Sequence, residues 1–323
     1  MSLLARCRRT LARGAVLLPI LVGGLVGCAR KEEARYVVGF SQMESDNPWR
    51  LAQTRSLREE AAKRGIPLVV TDAQGQTAKQ VADVEDLIAR RVSLILLAPR
   101  EYEGLAPALQ AAKAAKIPVV LVDREAAGKA GEDYVTFLGS NFVEQGRRAG
   151  EWLAQQTSGR ARVVELTGTP GASVTADRAK GFREAIAKHP DMQIVASQTG
   201  NFSRATAQGV MQNVAQARGR AITAVYAHND EMALGAIQGL RAAGLTPGNG
   251  GVLVVSVDGE RAALEAIERG ELGATVESNP RFGPLAFETI EKLRRGEAVP
   301  PKILLTDRFF DRSNAAQFKA DAY

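Results

Sequence analysis

Polar side chains recur just after short apolar runs in this sequence. They fall at Ser41 to Arg50, Asp72, Arg100, Asp123-Arg124, Ser140-Asn141, Thr167 to Arg178, Asn201-Phe202, Asn229-Asp230, Asp258 and Glu277 to Asn279. Their types suit a ligand carrying many hydroxyls. Asp accepts two hydroxyl hydrogen bonds, Arg donates a planar fork to adjacent oxygens, and Asn does both. Trp and Phe can stack on the C–H face of a sugar ring. Asp123, Arg124, Arg178, Asn229 and Asp258, with Trp49 and Phe202, make up such a set. Each alone has a plainer reading, since an Asp after a strand often caps a helix and a helical Arg is often solvated. Their joint placement carries the weight.

Catalytic motifs are missing. There is no G-x-x-x-x-G-K-[ST] loop and no G-x-S-x-G elbow. The segment Gly168 to Ser173 is Gly-rich and opens a helix, which could cradle an anion. It lacks the lysine and reads as a turn at the edge of a binding site. His189 lies at a helix end before Pro190, and His228 would need a nucleophile that nothing signals. With two Cys and two His, neither a disulfide scaffold nor a zinc site built from those residues is expected. The expectation is a binding protein with no cofactor and no enzymatic activity.

The elements that must position these residues alternate. A short, β-branched run is followed by an amphipathic helix, then a turn, then another run. The runs are Tyr36–Ser41, Leu68–Thr71, Leu94–Leu97, Val119–Val122, Val135–Leu138, Val163–Leu166, Ile194–Ser197, Ala224–Tyr226, Val252–Val257 and Ala274–Glu277. Helices are expected over Pro48–Arg64, Thr77–Arg91, Tyr102–Lys116, Phe142–Gln156, Ala172–Lys188, Arg204–Arg218, Glu231–Ala243, Glu260–Arg269 and Pro280–Arg295. This is an α/β chain with parallel sheets and right-handed crossovers. About ten strands exceed one ordinary sheet, so two doubly wound lobes joined by a hinge are expected, with a break near Gly139-Ser140. Periodicity alone leaves open whether the last strands and helix return to the first lobe. Ligands of such sheets lie at the carboxyl ends of the strands, which is where the polar set emerges.

The chain has 323 residues, 45% hydrophobic and 24% charged, as an ordinary globular protein does. Its net charge of +6 is concentrated at the N-terminus. Arg6, Arg8, Arg9 and Arg13 precede an apolar run from Ala15 to Gly27 that is too short to span a bilayer and suits a signal peptide. It ends in Leu25-Val26-Gly27-Cys28, which resembles a bacterial lipobox. Residues 1–27 are therefore expected to be removed, Cys28 to carry lipid, and residues 28–35 to form a tether. Loss of four Arg takes the charge from +6 to +2, which leaves no electrostatic footprint for nucleic acid.

From Tyr36 on, the chain resembles the periplasmic sugar-binding proteins of ABC importers, in the ribose-binding branch. The resemblance rests on "VGFSQMESDNPWR", "IPVVLVDRE", "VVELTGTPGASVTADRAKGF", "QTGNFSRATAQGVMQN", "VYAHNDEMALGAIQGLRAAG" and "VVSVDGERAALEAIERGELGATVESNP". Within the branch, "FSQ…ES…WR" and "HND" are most like galactofuranose-binding proteins. The resemblance implies the periplasmic binding protein type I fold. Its lobes would comprise residues 36–139 with about 279–307, and 140–278 with about 308–323.

It also implies roles. Asp123 and Arg124 match a pair that grips ring hydroxyls, and Arg178 matches an arginine of the second lobe. Asn229 and Asp258 match further polar contacts, and Trp49 and Phe202 match stacking positions. Arg50 stands where ribose-binding proteins carry a Phe, which trades a stacking face for a hydrogen-bond fork. Ser41 and Asp46 complete the first segment. A late polar contact falls at Glu277 or Ser278. The implied partners are a monosaccharide, permease subunits with a cytoplasmic ATPase, and a membrane reached through the lipid alone. The protein is expected to act as a monomer in the periplasm or at the cell surface. A sensor of the same fold, feeding a chemoreceptor or histidine kinase, is the alternative.

Overall fold

The computed structural model describes residues 35–323. The expected signal peptide and Cys28 lie outside the described residues.

The chain enters the first sheet with β1 (Val38–Gln42), α1 (Pro48–Lys63), β2 (Leu68–Asp72), α2 (Thr77–Ala89), β3 (Leu94–Leu97), α3 (Ala106–Ala114), β4 (Val119–Val122) and β5 (Thr136–Gly139). It then builds a second sheet through α4 (Phe142–Gln156), β6 (Arg160–Thr167), α5 (Ser173–Ile186), β7 (Asp191–Thr199), α6 (Arg204–Arg218), β8 (Ala224–Ala227), α7 (Asp230–Ala242), β9 (Leu253–Asp258), α8 (Arg261–Glu268) and β10 (Ala274–Glu277). Next come α9 (Gly283–Arg294), β11 (Lys302–Leu304), β12 (Phe309–Asp311) and α10 (Ala315–Phe318).

Two six-stranded sheets result, ordered β11-β5-β4-β3-β1-β2 and β12-β10-β9-β8-β6-β7. Every pairing is parallel except β10 with β12, which is antiparallel. This is an α/β fold of two lobes. Strands such as Leu94–Leu97 and Val119–Val122 are apolar throughout because helices cover both faces. Late segments do return: β11 joins β5 of the first sheet, and α9 packs on α1. The chain thus crosses between sheets three times, after β5, after β10 and after β11.

Short elements and helix starts depart from the sequence reading. β11 and β12 are three residues each and were not expected. The third helix begins at Ala106 rather than Tyr102, because Gly104 adopts φ +88° and breaks the turn before it. Helices α4 and α5 meet without side chains at their crossing. A Cβ on Gly181 would stand 1.8 Å from the Val143 carbonyl oxygen, and one on Gly146 would stand 2.1 Å from that of Arg178. This contact fixes the helix that carries Arg178.

Candidate functional site

Nine of the expected residues line one cavity. From the first lobe come Trp49, Arg50, Asp123 and Arg124, joined by Asn47. From the second come Arg178, Phe202, Asn229 and Asp258, joined by Val174, and the second crossover adds Ser278. About 340 Å³ between these side chains, part of it open to solvent, is not filled by protein atoms. It lies where the strands of both sheets end.

Local structure aims each group. Asn47 caps α1, its side chain accepting from Arg50 N at 2.9 Å, with Pro48 opening the helix. Trp49 and Arg50 therefore project from the first turn. Trp49 Nε1 donates to the Ser278 carbonyl at 2.7 Å, and the Arg50 guanidinium lies 4.6 Å from the Trp49 ring centre. Asn229 caps α7 through Met232 N at 3.0 Å while still facing the cavity. Asp123, Phe202 and Asp258 carry φ of +69°, +57° and +137°. Such backbone is costly for residues with a Cβ and clusters at functional sites.

Three guanidiniums face two carboxylates. Asp123 Oδ2 stands 2.6 Å from Arg50 Nη1 and 3.8 Å from Arg124 Nε. The first contact is an ion pair off hydrogen-bond alignment, so Oδ2 remains open to a donor. Among the described residues, Arg124 Nε finds no hydrogen-bond partner, while its Nη1 donates to the Arg100 carbonyl at 2.9 Å. Burial, with the nearby Arg50 cation, pulls Arg124 down to about 9, which still leaves it a cation at neutral pH. Arg178 Nη2 lies 3.4 Å from Asp258 Oδ1, and its Nη1 donates to the His228 carbonyl. Burial pushes the Asp258 carboxyl well above its ordinary range, against the pull of Arg178.

The lobes touch directly at the cavity's rim. The Arg124 guanidinium lies 5.1 Å from the Phe202 ring centre. Tyr102 N donates to the Gly171 carbonyl at 2.8 Å, and Glu125 N to Ser173 Oγ at 3.0 Å. A ligand held here is enclosed by both lobes.

Three expected residues are not on the wall. Ser41 is fully buried within β1, and Asp46 is exposed on the loop before α1. Glu277 is turned away because Arg308 grips its carboxylate, with Nε donating to Oε2 at 2.8 Å and Nη2 to Oε1 at 2.6 Å. Ser278, the next residue and the first of the second crossover, meets the cavity instead. His228 is fully buried with Glu165 3.4 Å from its Nε2 and does not line the cavity. Asn47, whose Asn-Pro pair signals a helix cap, and Val174, which carries no polar signal, fall inside the expected stretches 41–50 and 167–178 but are not singled out by sequence reasoning.

Buried acids make stability depend on pH. Burial raises Asp230 and Asp307 to about 6 and Glu260 to about 9, besides Asp258. For Glu165, burial is outweighed by bonds from His228, Arg183 and Ser197, which bring it to about 2. An acid raised by folding stabilises while protonated, and that contribution is lost as pH climbs through the folded-state value. Buried His228, held below its ordinary value by desolvation, contributes in the opposite sense up to about pH 6.5, so the melting temperature should fall most clearly from about pH 7 to pH 9, as Glu260 ionises. A melting temperature that climbs steadily across that range would contradict these assignments.

Two α/β lobes of this topology, joined by three crossovers over a polar cavity, define the periplasmic binding protein type I fold. The chain belongs to the periplasmic binding protein family, whose domain description matches residues 38–298. It is 41% identical over 276 residues to the galactofuranose-binding protein YtfQ of Escherichia coli, covering 84% of this chain and 86% of that one. It is 36% identical over 269 residues to the ribose import binding protein RbsB of Bacillus subtilis, covering 83% and 85%. Among solved structures it resembles the binding component of the arabinose ABC transporter from Shewanella sp. ANA-3, bound to α- and β-L-arabinofuranose. There the TM-score is 0.85 at 41% identity, covering 88% of this chain and 95% of that one.

Proposed function

We propose that this protein is the extracytoplasmic binding component of a sugar importer. It holds one monosaccharide between its lobes and delivers it to permease subunits driven by a cytoplasmic ATPase. The single observation that carries this reading is the cavity itself, with Asp123 and Arg124 from one lobe facing Arg178, Asn229 and Asp258 from the other. Lobe closure on the hinge then follows from linkage, because a ligand that touches both lobes favours the closed form. No bond is broken, and His228, the residue an enzymatic reading would need, lies off the cavity.

The sugar is a furanose. Galactofuranose and arabinofuranose are the ligands of two relatives. Arg50 supports this, since its fork suits hydroxyls outside the ring where a phenyl face would not. A thermal-shift screen of pentoses and hexoses able to adopt the furanose form tests the reading. Ligand at about 100 times Kd adds about 2.7 kcal/mol, or roughly 4–5 °C for a chain of this size. A screen in which none of these sugars raises the melting temperature would refute it.

The protein acts as a monomer anchored through Cys28, with no helix among the described residues long and apolar enough to cross a membrane. Two or more acyl chains hold firmly where one holds marginally. Cys28→Ala should move the protein from the membrane to the soluble fraction; unchanged retention would count against the anchor.

A further inference from the structure

One buried amide ties the cavity to all three crossovers. Gln145, in the first turn of α4, is 1% exposed. Its Oε1 accepts from Arg178 Nε at 2.9 Å. Its Nε2 donates to Asp307 Oδ2 at 2.8 Å and lies 3.2 Å from the Glu277 carbonyl. Asp307 belongs to the third crossover, and its Oδ1 accepts from Ser140 Oγ of the first at 2.9 Å. Arg148 Nη1 donates to the Asp307 carbonyl at 2.8 Å. Glu277 ends β10, where the second crossover begins. Gln145 itself does not line the cavity.

We propose that Gln145 is a positioning residue that couples the ligand-facing Arg178 to the hinge, so that lobe closure and ligand affinity are set partly by a side chain that never meets the ligand. The proposal rests on the binding reading above only for its affinity arm. A hinge works by changing backbone angles in the crossing segments. A side chain bonded to the second and third segments, and through Asp307 to Ser140 of the first, senses their relative position, and here the same side chain orients Arg178. Nη1 and Nη2 of Arg178 are held by the second lobe alone, so Nε through Gln145 is the guanidinium's link to the hinge. Coupling of this kind is reciprocal: closure aligns Arg178, and a ligand on Arg178 favours closure.

The geometry also dictates the test. Gln145→Glu keeps the acceptor for Arg178 but sets a carboxylate against Asp307. Adding Asp307→Asn exchanges the two groups, so an amide again donates to a carboxylate while its carbonyl accepts from Ser140. Small-angle scattering of the ligand-free proteins and sugar calorimetry are measured on parent, Gln145→Glu, Gln145→Met and the double variant. The expected result is a larger ligand-free radius of gyration and at least tenfold weaker sugar binding in both single variants. The double variant restores the bond to position 307 but not the one to the Glu277 carbonyl, so it should move both clearly back toward the parent without reaching it.

A purely structural role predicts lower melting temperatures with ligand-free size unchanged and affinity within twofold, and that result would overturn the proposal. So would a double variant no better than Gln145→Glu. If the parent binds none of the sugars tested, the binding reading fails. The scattering arm still decides the hinge role: unchanged size in the single variants overturns it, and expansion partly reversed in the double variant supports it.

Discussion

Asp123→Asn should cut sugar affinity by a factor of 100 or more, and up to about 10⁴, while the protein stays folded. A site built to hydrogen-bond hydroxyls loses on that scale when its buried groups are left unpaired. Asp123 is the acceptor between two cations, 2.6 Å from Arg50 and 3.8 Å from Arg124. Removing its charge leaves both guanidiniums facing each other in a closed cavity, and the sugar loses its anionic acceptor. Asn is the right replacement because position 123 has φ +69°, a conformation Asn tolerates and Ala does not. Stability should also fall, since a buried pair broken on one side leaves uncompensated charge. Calorimetry and a melting curve on the same sample separate the two effects. If the sugar binds within threefold of the parent, Asp123 is not the centre of the site.

Arg178→Lys should weaken binding about 10- to 150-fold. Hydrogen bonds to a charged group contribute about 1.5–3 kcal/mol each, and an ammonium cannot reproduce a fork. Arg178 divides its donors among Gln145, the His228 carbonyl and Asp258. Lys keeps the charge and forfeits the direction, leaving Gln145 Oε1 or Asp258 without its donor. The second lobe then offers the sugar less when closed, and the closed form loses its advantage. The prediction is checked by titrating the same sugar into parent and variant. Equal affinities would mean that charge alone, not the guanidinium plane, matters at this position.

Much of the fold was legible because local signals agreed with tertiary structure. The helices Phe142–Gln156 and Arg204–Arg218 fall where the periodicity puts them, each after a capping Asn or Ser. The three-residue strands Lys302–Leu304 and Phe309–Asp311 lay beyond sequence reading, because such strands form by pairing with β5 and β10 and carry little pattern of their own. The antiparallel turn of β12 is likewise a property of its partner. At the site, residue type and post-strand position found most of the cavity wall. What they could not resolve was which of two neighbours faces it. Glu277 turns to Arg308, a residue 31 positions on, and no local signal announces that pair. Nor does the sequence reveal the positive φ of Asp123, Phe202 and Asp258, since none is a glycine. Gln145 is invisible for a further reason: its partners come from α5 and from two distant crossovers that only the folded chain assembles.

The most direct test of the account is titration calorimetry of the protein with the furanose-forming sugar that most raises its melting temperature. The account predicts one site per chain, a Kd near or below micromolar, equivalent to about −8 kcal/mol, and loss of that binding in Asp123→Asn. Affinity no better than about millimolar, a stoichiometry other than one, or binding that survives Asp123→Asn intact would contradict it.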